Sequence, residues 1–174
     1  IRDDKWDKLY YARAEHLRIF TVEELAPISP EVPNREKKIV VRLESQIVIA
    51  YENNQVVFSA PVATGGILRS GTYTTPQGNF VTWFKRPSRH MASGDLASNG
   101  YDLPGVPWVQ YINESGVAFH GTFWHNDFGR PRSRGCINLY NSNAKWLYLW
   151  TTPQVPYNKE LSINGLGTKV EIKI

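Results

Sequence analysis

From Lys38 onward the chain adopts a two-residue period: Ile39, Val41 and Leu43 alternate with Val40, Arg42 and Glu44, and the β-rich run Ile47 to Tyr51 follows at once. Residues two apart share one face of a strand, so this period commits the stretch to a sheet. Glu52-Asn53-Asn54-Gln55 reads as a hairpin turn leading into Val56-Val57-Phe58. Further strands are expected at Phe80 to Phe84, Val109 to Ile112 and Val117 to Phe119. Asn164-Gly165 is expected to link Leu161-Ser162-Ile163 to a last alternating strand that runs through Ile174. One helix is predicted from Asn143 to Trp150, capped by Asn141 or Ser142 and ended ahead of Pro153. Trp146 and Trp150 lie one turn apart on it, which assigns them to core packing.

Residues 1–36 are richer in charge and close on Pro27, Pro30 and Pro33, so they read as a flanking segment and linker ahead of a domain at 37–174. Within them, Thr21-Val22-Glu23-Glu24 has capping-box spacing and predicts a short helix halted before Pro27. Between Lys85 and Trp108 no period is visible, and Pro87, Gly94, Gly100, Pro104, Gly105 and Pro107 mark a long loop. Such loops are often functional, and this one is expected to wall or cover a cleft, with Met91 and Tyr101 as substrate contacts.

At 174 residues and 41% hydrophobic content the chain can bury one core. No apolar run reaches the ~20 residues of a membrane helix. The opening residues Ile1-Arg2-Asp3-Asp4-Lys5-Trp6 carry no secretion signal, as is equally true of a processed chain. The net charge of +4 favours acidic partners, but beyond that charge nothing points to nucleic acid.

Cys136 is the one cysteine, so no internal disulfide exists and the thiol is either a small buried apolar group or a nucleophile. Its setting, Ser133-Arg134-Gly135-Cys136-Ile137-Asn138, favours the nucleophile: a preceding glycine lets a substrate approach the backbone, and the amides of Arg134, Gly135 and Cys136 can converge on an oxyanion. His120, at the end of a predicted strand, is the candidate base that takes the thiol proton, with a thiolate–imidazolium pair as the expected resting form. A metal site built on His120, His125 and Asp127 is disfavoured, because spacings of five and two match no common zinc pattern. A papain-like site is disfavoured as well, since its cysteine precedes its histidine in the chain.

The stretch Phe119-His120-Gly121-Thr122-Phe123-Trp124-His125-Asn126-Asp127-Phe128-Gly129 followed by Ser133-Arg134-Gly135-Cys136-Ile137-Asn138-Leu139 resembles the signature of the L,D-transpeptidases with a YkuD-type catalytic domain. In that signature a second histidine precedes the Gly-Cys pair, and Arg134 stands in its place here. The resemblance extends to Gln46 through Tyr51, Val62-Ala63-Thr64-Gly65, Thr74-Thr75-Pro76-Gln77-Gly78-Asn79-Phe80 and Gly167-Thr168-Lys169-Val170-Glu171-Ile172, roughly residues 37–174. It implies a mainly β, mixed sandwich or barrel-like fold with one helix packed after the cysteine loop. It also implies a cysteine acyltransferase that needs no cofactor or metal and forms 3→3 cross-links between peptidoglycan stem peptides through a thioester. L,D-carboxypeptidase activity and a non-catalytic wall-binding module are the alternatives.

In this scheme Cys136 is the nucleophile and His120 the base. The Gly121 carbonyl orients the imidazole, with Ser133 as an alternative orienting group. Arg134, Asn138, Trp124, Met91 and Tyr101 contact substrate; Arg132 is a weaker candidate for a carboxylate grip, and His125 lines the cleft. A monomer in the bacterial cell envelope, outside the cytoplasm, and capture by carbapenems are expected on the same grounds.

Overall fold

The structure is a computed structural model that describes residues 1–97, 100–162 and 166–174. In chain order the strands are β1 (Lys37–Arg42), β2 (Ile47–Glu52), β3 (Gln55–Pro61), β4 (Ile67–Leu68), β5 (Gly71–Thr72), β6 (Gly78–Val81), β7 (Phe84–Ser93), β8 (Tyr101–Tyr111), β9 (Ala118–Gly121) and β10 (Ile137–Leu139). The helix α1 (Asn141–Trp150) and strand β11 (Lys169–Lys173) complete the domain. Asn53 and Asn54 close the β2–β3 hairpin with φ of +49° and +64°. Two left-handed residues match the twist of the flanking strands, and asparagine tolerates that conformation.

Two mixed sheets result. One runs β3-β2-β1-β11-β6, with β11 parallel to β1 in the register Ile39↔Val170; the other runs β10-β9-β8-β7. Ile39, Val41, Val48 and Ile172 of the first sheet and Phe119, Ile137 and Leu139 of the second belong to one core with Leu147 and Trp150 of α1, each 2% exposed or less. Burial of side chains this size favours folding by about 1.5–3 kcal/mol each. Trp146 stacks on Phe58 at 4.2 Å and on Trp150 at 5.7 Å, so the pair packs the core as its spacing predicts.

The end of α1 shows how the core accepts charge. Lys85, fully buried on β7, donates to the carbonyls of Tyr148 (2.6 Å) and Thr151 (2.7 Å), and Lys37 donates to Trp150 O at 3.1 Å. Helix C-terminal carbonyls are electron-rich and lack partners within the helix, so two ammonium groups satisfy them. Burial lowers both lysine pKa values, that of Lys85 strongly, with repulsion from Lys37 adding to the effect.

Four expectations about elements need correction. Residues 84–93 and 101–111 form the long β7–β8 hairpin instead of a loop. Only Gln110 and Tyr111 of β8 pair with β9, so the outer part of the ribbon has a free edge that tolerates Pro104 and Pro107, and β7 is itself an edge strand that tolerates Pro87. A bulge between Arg89 and Met91 further masks the period. The strand expected over Phe80 to Phe84 divides between two sheets at Thr82, which donates its N–H to Thr168 O (3.0 Å) and accepts at Oγ1 from Thr168 N–H (2.9 Å).

The helix begins at Asn141 with Tyr140 as its cap residue and no side-chain capping bond. Asn141 instead lies against Gly121, where a Cβ would stand 2.4 Å from its Oδ1. Ser162 bridges to Lys85 and not to β11; the expected turn Asn164-Gly165 and Ile163 lie outside the described residues. The capping box at Thr21 is present as a reciprocal pair, Thr21 N–H to Glu24 Oε2 at 3.0 Å and Glu24 N–H to Thr21 Oγ1 at 3.2 Å, around the single 3₁₀ turn Glu23–Leu25. This flanking segment packs through Phe20, 5.5 Å from Trp108, and through Ile28 N–H on Leu149 O.

Candidate active site

Strands β9 and β10 pair in parallel, with Phe119 opposite Ile137 and His120 opposite Asn138, so Cys136 leaves the turn one residue before β10 and next to the strand that carries His120. Both residues line an open cleft of about 200 Å³, together with Met91, Tyr101, Trp124 and Arg134. The β7–β8 hairpin supplies the Met91 and Tyr101 wall.

The cysteine turn is stitched to the preceding Thr-Gly segment. Thr64 O accepts from the amides of Arg132 and Ser133 at 2.8 Å each, Gly66 N–H donates to Ser133 O, and Ala63 exchanges two backbone bonds with Asn138. Thr75 Oγ1 accepts from Gly65 N–H (2.9 Å) and donates to Gly135 O (2.8 Å). Gly135 has φ of +113°, and a Cβ there would meet Thr74 O at 3.3 Å, so the residue before the sulfur must be glycine. Ser133 ties the turn from inside: its Oγ donates to Cys136 O at 2.5 Å and accepts from Gly135 N–H at 3.0 Å.

That last bond corrects the expected oxyanion hole. Gly135 N–H is spent on Ser133, which orients the turn and not the imidazole; among the described residues the amides of Arg134 and Cys136 have no acceptor. Orientation of His120 comes from the Gly121 carbonyl, 2.9 Å from Nδ1. The bond places the proton on Nδ1 and leaves Nε2 as the basic nitrogen. No side chain is possible at Gly121, because a Cβ would meet both Asn141 Oδ1 and Pro107.

Electrostatics run against the expected ion pair. Burial lowers the His120 pKa to about 4, against the opposing Gly121 bond, and raises the Cys136 thiol to about 11, partly offset by the Ala118 N–H. Burial thus favours the neutral form of each group. The thiol faces Gly116 O at 3.6 Å.

Asn138, 3% exposed, faces His125 with Nδ2 and Nε2 drawn 3.0 Å apart, and Asp127 N–H donates to His125 Nδ1. His125 therefore carries its proton on Nε2, which needs an acceptor, and the Asn138 side-chain amide turned with its oxygen toward His125 supplies it. Burial, then the charge of Arg132, lowers the His125 pKa. Arg132 pairs with Asp127 at 2.9 Å. Among the described residues no three His, Cys, Asp or Glu side chains converge as a metal-ligand set, and no helix is long and apolar enough to cross a membrane.

Sequence reasoning missed Tyr73 and Ser70, which contact Arg134 from 61 and 64 positions away; no local pattern announces such a contact. The bridging bonds of Thr75 to Gly65 and Gly135 likewise have no local sequence signal.

Fold and site together define a mixed β-sheet domain built around a thiol–imidazole cleft. The chain belongs to the YkuD family of L,D-transpeptidase catalytic domains, whose family model matches residues 36–172. A Bacillus licheniformis protein named as a candidate L,D-transpeptidase, YkuD, is 29% identical over 110 residues, which is 62% of this chain and 55% of that protein. An L,D-transpeptidase from Mycobacterium smegmatis superposes with a TM-score of 0.63 at 23% identity, covering 80% of this chain and 59% of that one. The L,D-transpeptidase LdtMt1, solved in complex with imipenem, gives a TM-score of 0.62 at 25% identity, covering 79% and 58%. The chain thus spans less than three fifths of the length of each of these proteins.

Proposed function

We propose that this domain is a peptidoglycan L,D-transpeptidase of the bacterial cell envelope, active outside the cytoplasm as a monomer. The observation that carries the reading is the shared cleft of Cys136 and His120, His120 on β9 and Cys136 at the head of the neighbouring parallel strand, with the backbone amides of Arg134 and Cys136 without an acceptor among the described residues.

Cys136 Sγ attacks the carbonyl that links the diamino acid of a stem tetrapeptide to its terminal D-alanine, and its proton passes to His120 Nε2. Because both groups rest neutral, this transfer accompanies attack and does not precede it. The tetrahedral oxyanion takes the amides of Arg134 and Cys136. As it collapses, the C–N bond breaks, His120 gives its proton to the departing amine, and a thioester remains. The side-chain amine of a second stem then attacks the thioester, loses a proton through His120 and restores the thiol, which leaves a 3→3 cross-link. Water in place of the amine gives L,D-carboxypeptidase activity on the same path. Asn138, Trp124, Met91 and Tyr101 line the path of the donor and hold it.

Incubation with defined stem tetrapeptides, with mass analysis of products, tests the reaction. Exposure to imipenem tests the nucleophile: an adduct is expected on the wild type and none on Cys136→Ala. Absence of both turnover and adduct would leave a wall-binding module as the better account.

A further inference from the structure

The cleft holds an unbalanced charge. Its lining includes two arginines and, among the described residues, no Asp or Glu. Arg132 is neutralised by Asp127, whereas Arg134 has no carboxylate partner among the described residues. Its guanidinium lies over two aromatic rings, 5.8 Å from Tyr73 and 5.5 Å from Tyr101, and Nη2 donates to Ser70 Oγ at 3.4 Å. Tyr73 OH donates to the same Ser70 Oγ at 3.1 Å, so the group that fixes the guanidinium is itself fixed. The rings come from separate walls, Tyr73 just after β5 and Tyr101 at the start of β8.

The ring contacts and the bonds to Ser70 and Tyr73 engage part of the guanidinium, and its remaining N–H groups are the kind that a carboxylate accepts bidentately. Holding the side chain in place before substrate arrives also removes much of the ordering cost that a free arginine would impose on binding. Arg134 stands two residues before Cys136, so an anion on that edge lies beside the scissile bond. Histidine at this position could not offer the same fork or a permanent charge.

We infer that Arg134 is a specificity residue that selects donor peptides with a free carboxylate flanking the scissile bond; the inference rests on the transpeptidase reading above. Two donor groups have that chemistry: the C-terminal carboxylate of the leaving residue and the carboxylate on the diamino-acid side chain.

The test compares kcat/KM for three tetrapeptide donors, one with both carboxylates free, one amidated at the C-terminus and one amidated on the diamino acid. Wild type should lose about tenfold or more on one amidated donor, chiefly through KM, and that donor identifies the carboxylate. Arg134→Gln should bring the three donors to within about twofold of each other, and Arg134→Lys should restore part of the preference. Alkylation of Cys136 by uncharged iodoacetamide should match wild type in both variants, which shows that the turn is undisturbed; if it does not, the wild-type preference alone decides. Equal use of the three donors by the wild type, or an equal loss on all three in Arg134→Gln, overturns the inference while the transpeptidase reading stands. Failure of that reading looks different: no donor turns over and imipenem leaves no adduct.

Discussion

His120 and His90 sit on one four-stranded sheet, are 4% and 7% exposed, and have their pKa values pushed in opposite directions. His120 has no carboxylate partner among the described residues; its Nδ1 bonds the Gly121 carbonyl, and burial outweighs that bond and favours the neutral ring. For His90 burial also acts downward, but Asp3 at 2.5 Å from Nδ1 and Asp102 against Nε2 outweigh it and raise the pKa. Desolvation decides the charge of a buried histidine only where no carboxylate is supplied. The cleft supplies none among the described residues, which keeps a base ready to accept a proton; the flank supplies two, which favour the protonated ring and tie residues 3 and 102 together.

The largest expected effect separates the two by chemistry. His120→Gln should slow acylation of Cys136 by imipenem by about 10²–10⁴-fold, the usual contribution of a positioned acid–base group, while His90→Gln should stay near the wild-type rate. Adduct growth followed by intact-protein mass measures both. Equal losses in the two variants would erase the distinction between a working histidine and a clasp.

The second effect concerns the thiol. With the Cys136 pKa at about 11, the thiolate fraction rises about tenfold per pH unit across the neutral range, so iodoacetamide alkylation should climb steadily from pH 6 to 9. A rate that is high and flat over this range would restore the thiolate–imidazolium pair.

Much of the site was legible in the sequence because it is local: the Gly135-Cys136 turn, the Gly121 carbonyl beside His120, and strand periods where one sheet face is covered. What escaped is long-range or compensated. Pro87, Pro104 and Pro107 read as loop punctuation, yet they lie on ribbon edges that need no donor there. The Ser133 hydroxyl takes the Gly135 amide, a competition that residue types alone do not reveal. The neutral forms of the pair depend on burial from several strands, and the environment of His90 depends on Asp3 and Asp102, which reach it from 87 and 12 positions away.

A third effect appears in stability. A fall in the His120 pKa from 6.5 to about 4 means that the unfolded chain binds more protons between those values, so the contribution is present above pH 6.5 and is lost as pH falls toward 4. The full loss is about 3 kcal/mol. His120→Gln should flatten this acid limb in urea titrations at pH 7 and pH 4; an unchanged limb would mean that His120 is solvated and charged.

The smallest effect runs the other way. His90 has its pKa raised, so the folded chain holds the extra proton, and its contribution is complete below pH 6.5 and lost as pH rises through the raised value. The Tm gap between wild type and His90→Gln should therefore be widest near pH 5.5 and narrow by pH 9. Asp4 accepts the His90 N–H at 2.7 Å and pairs with Arg86 at 3.3 Å and Arg89 at 3.4 Å, so a pH-independent part of the contact persists and limits the size of the change. Asp102→Asn removes one carboxylate without disturbing Asp4, and it should shrink the pH-dependent part while leaving the remainder. A gap that is constant across this range in both variants would show that His90 is held by shape and not by charge, and the contrast with His120 would then lie in function alone.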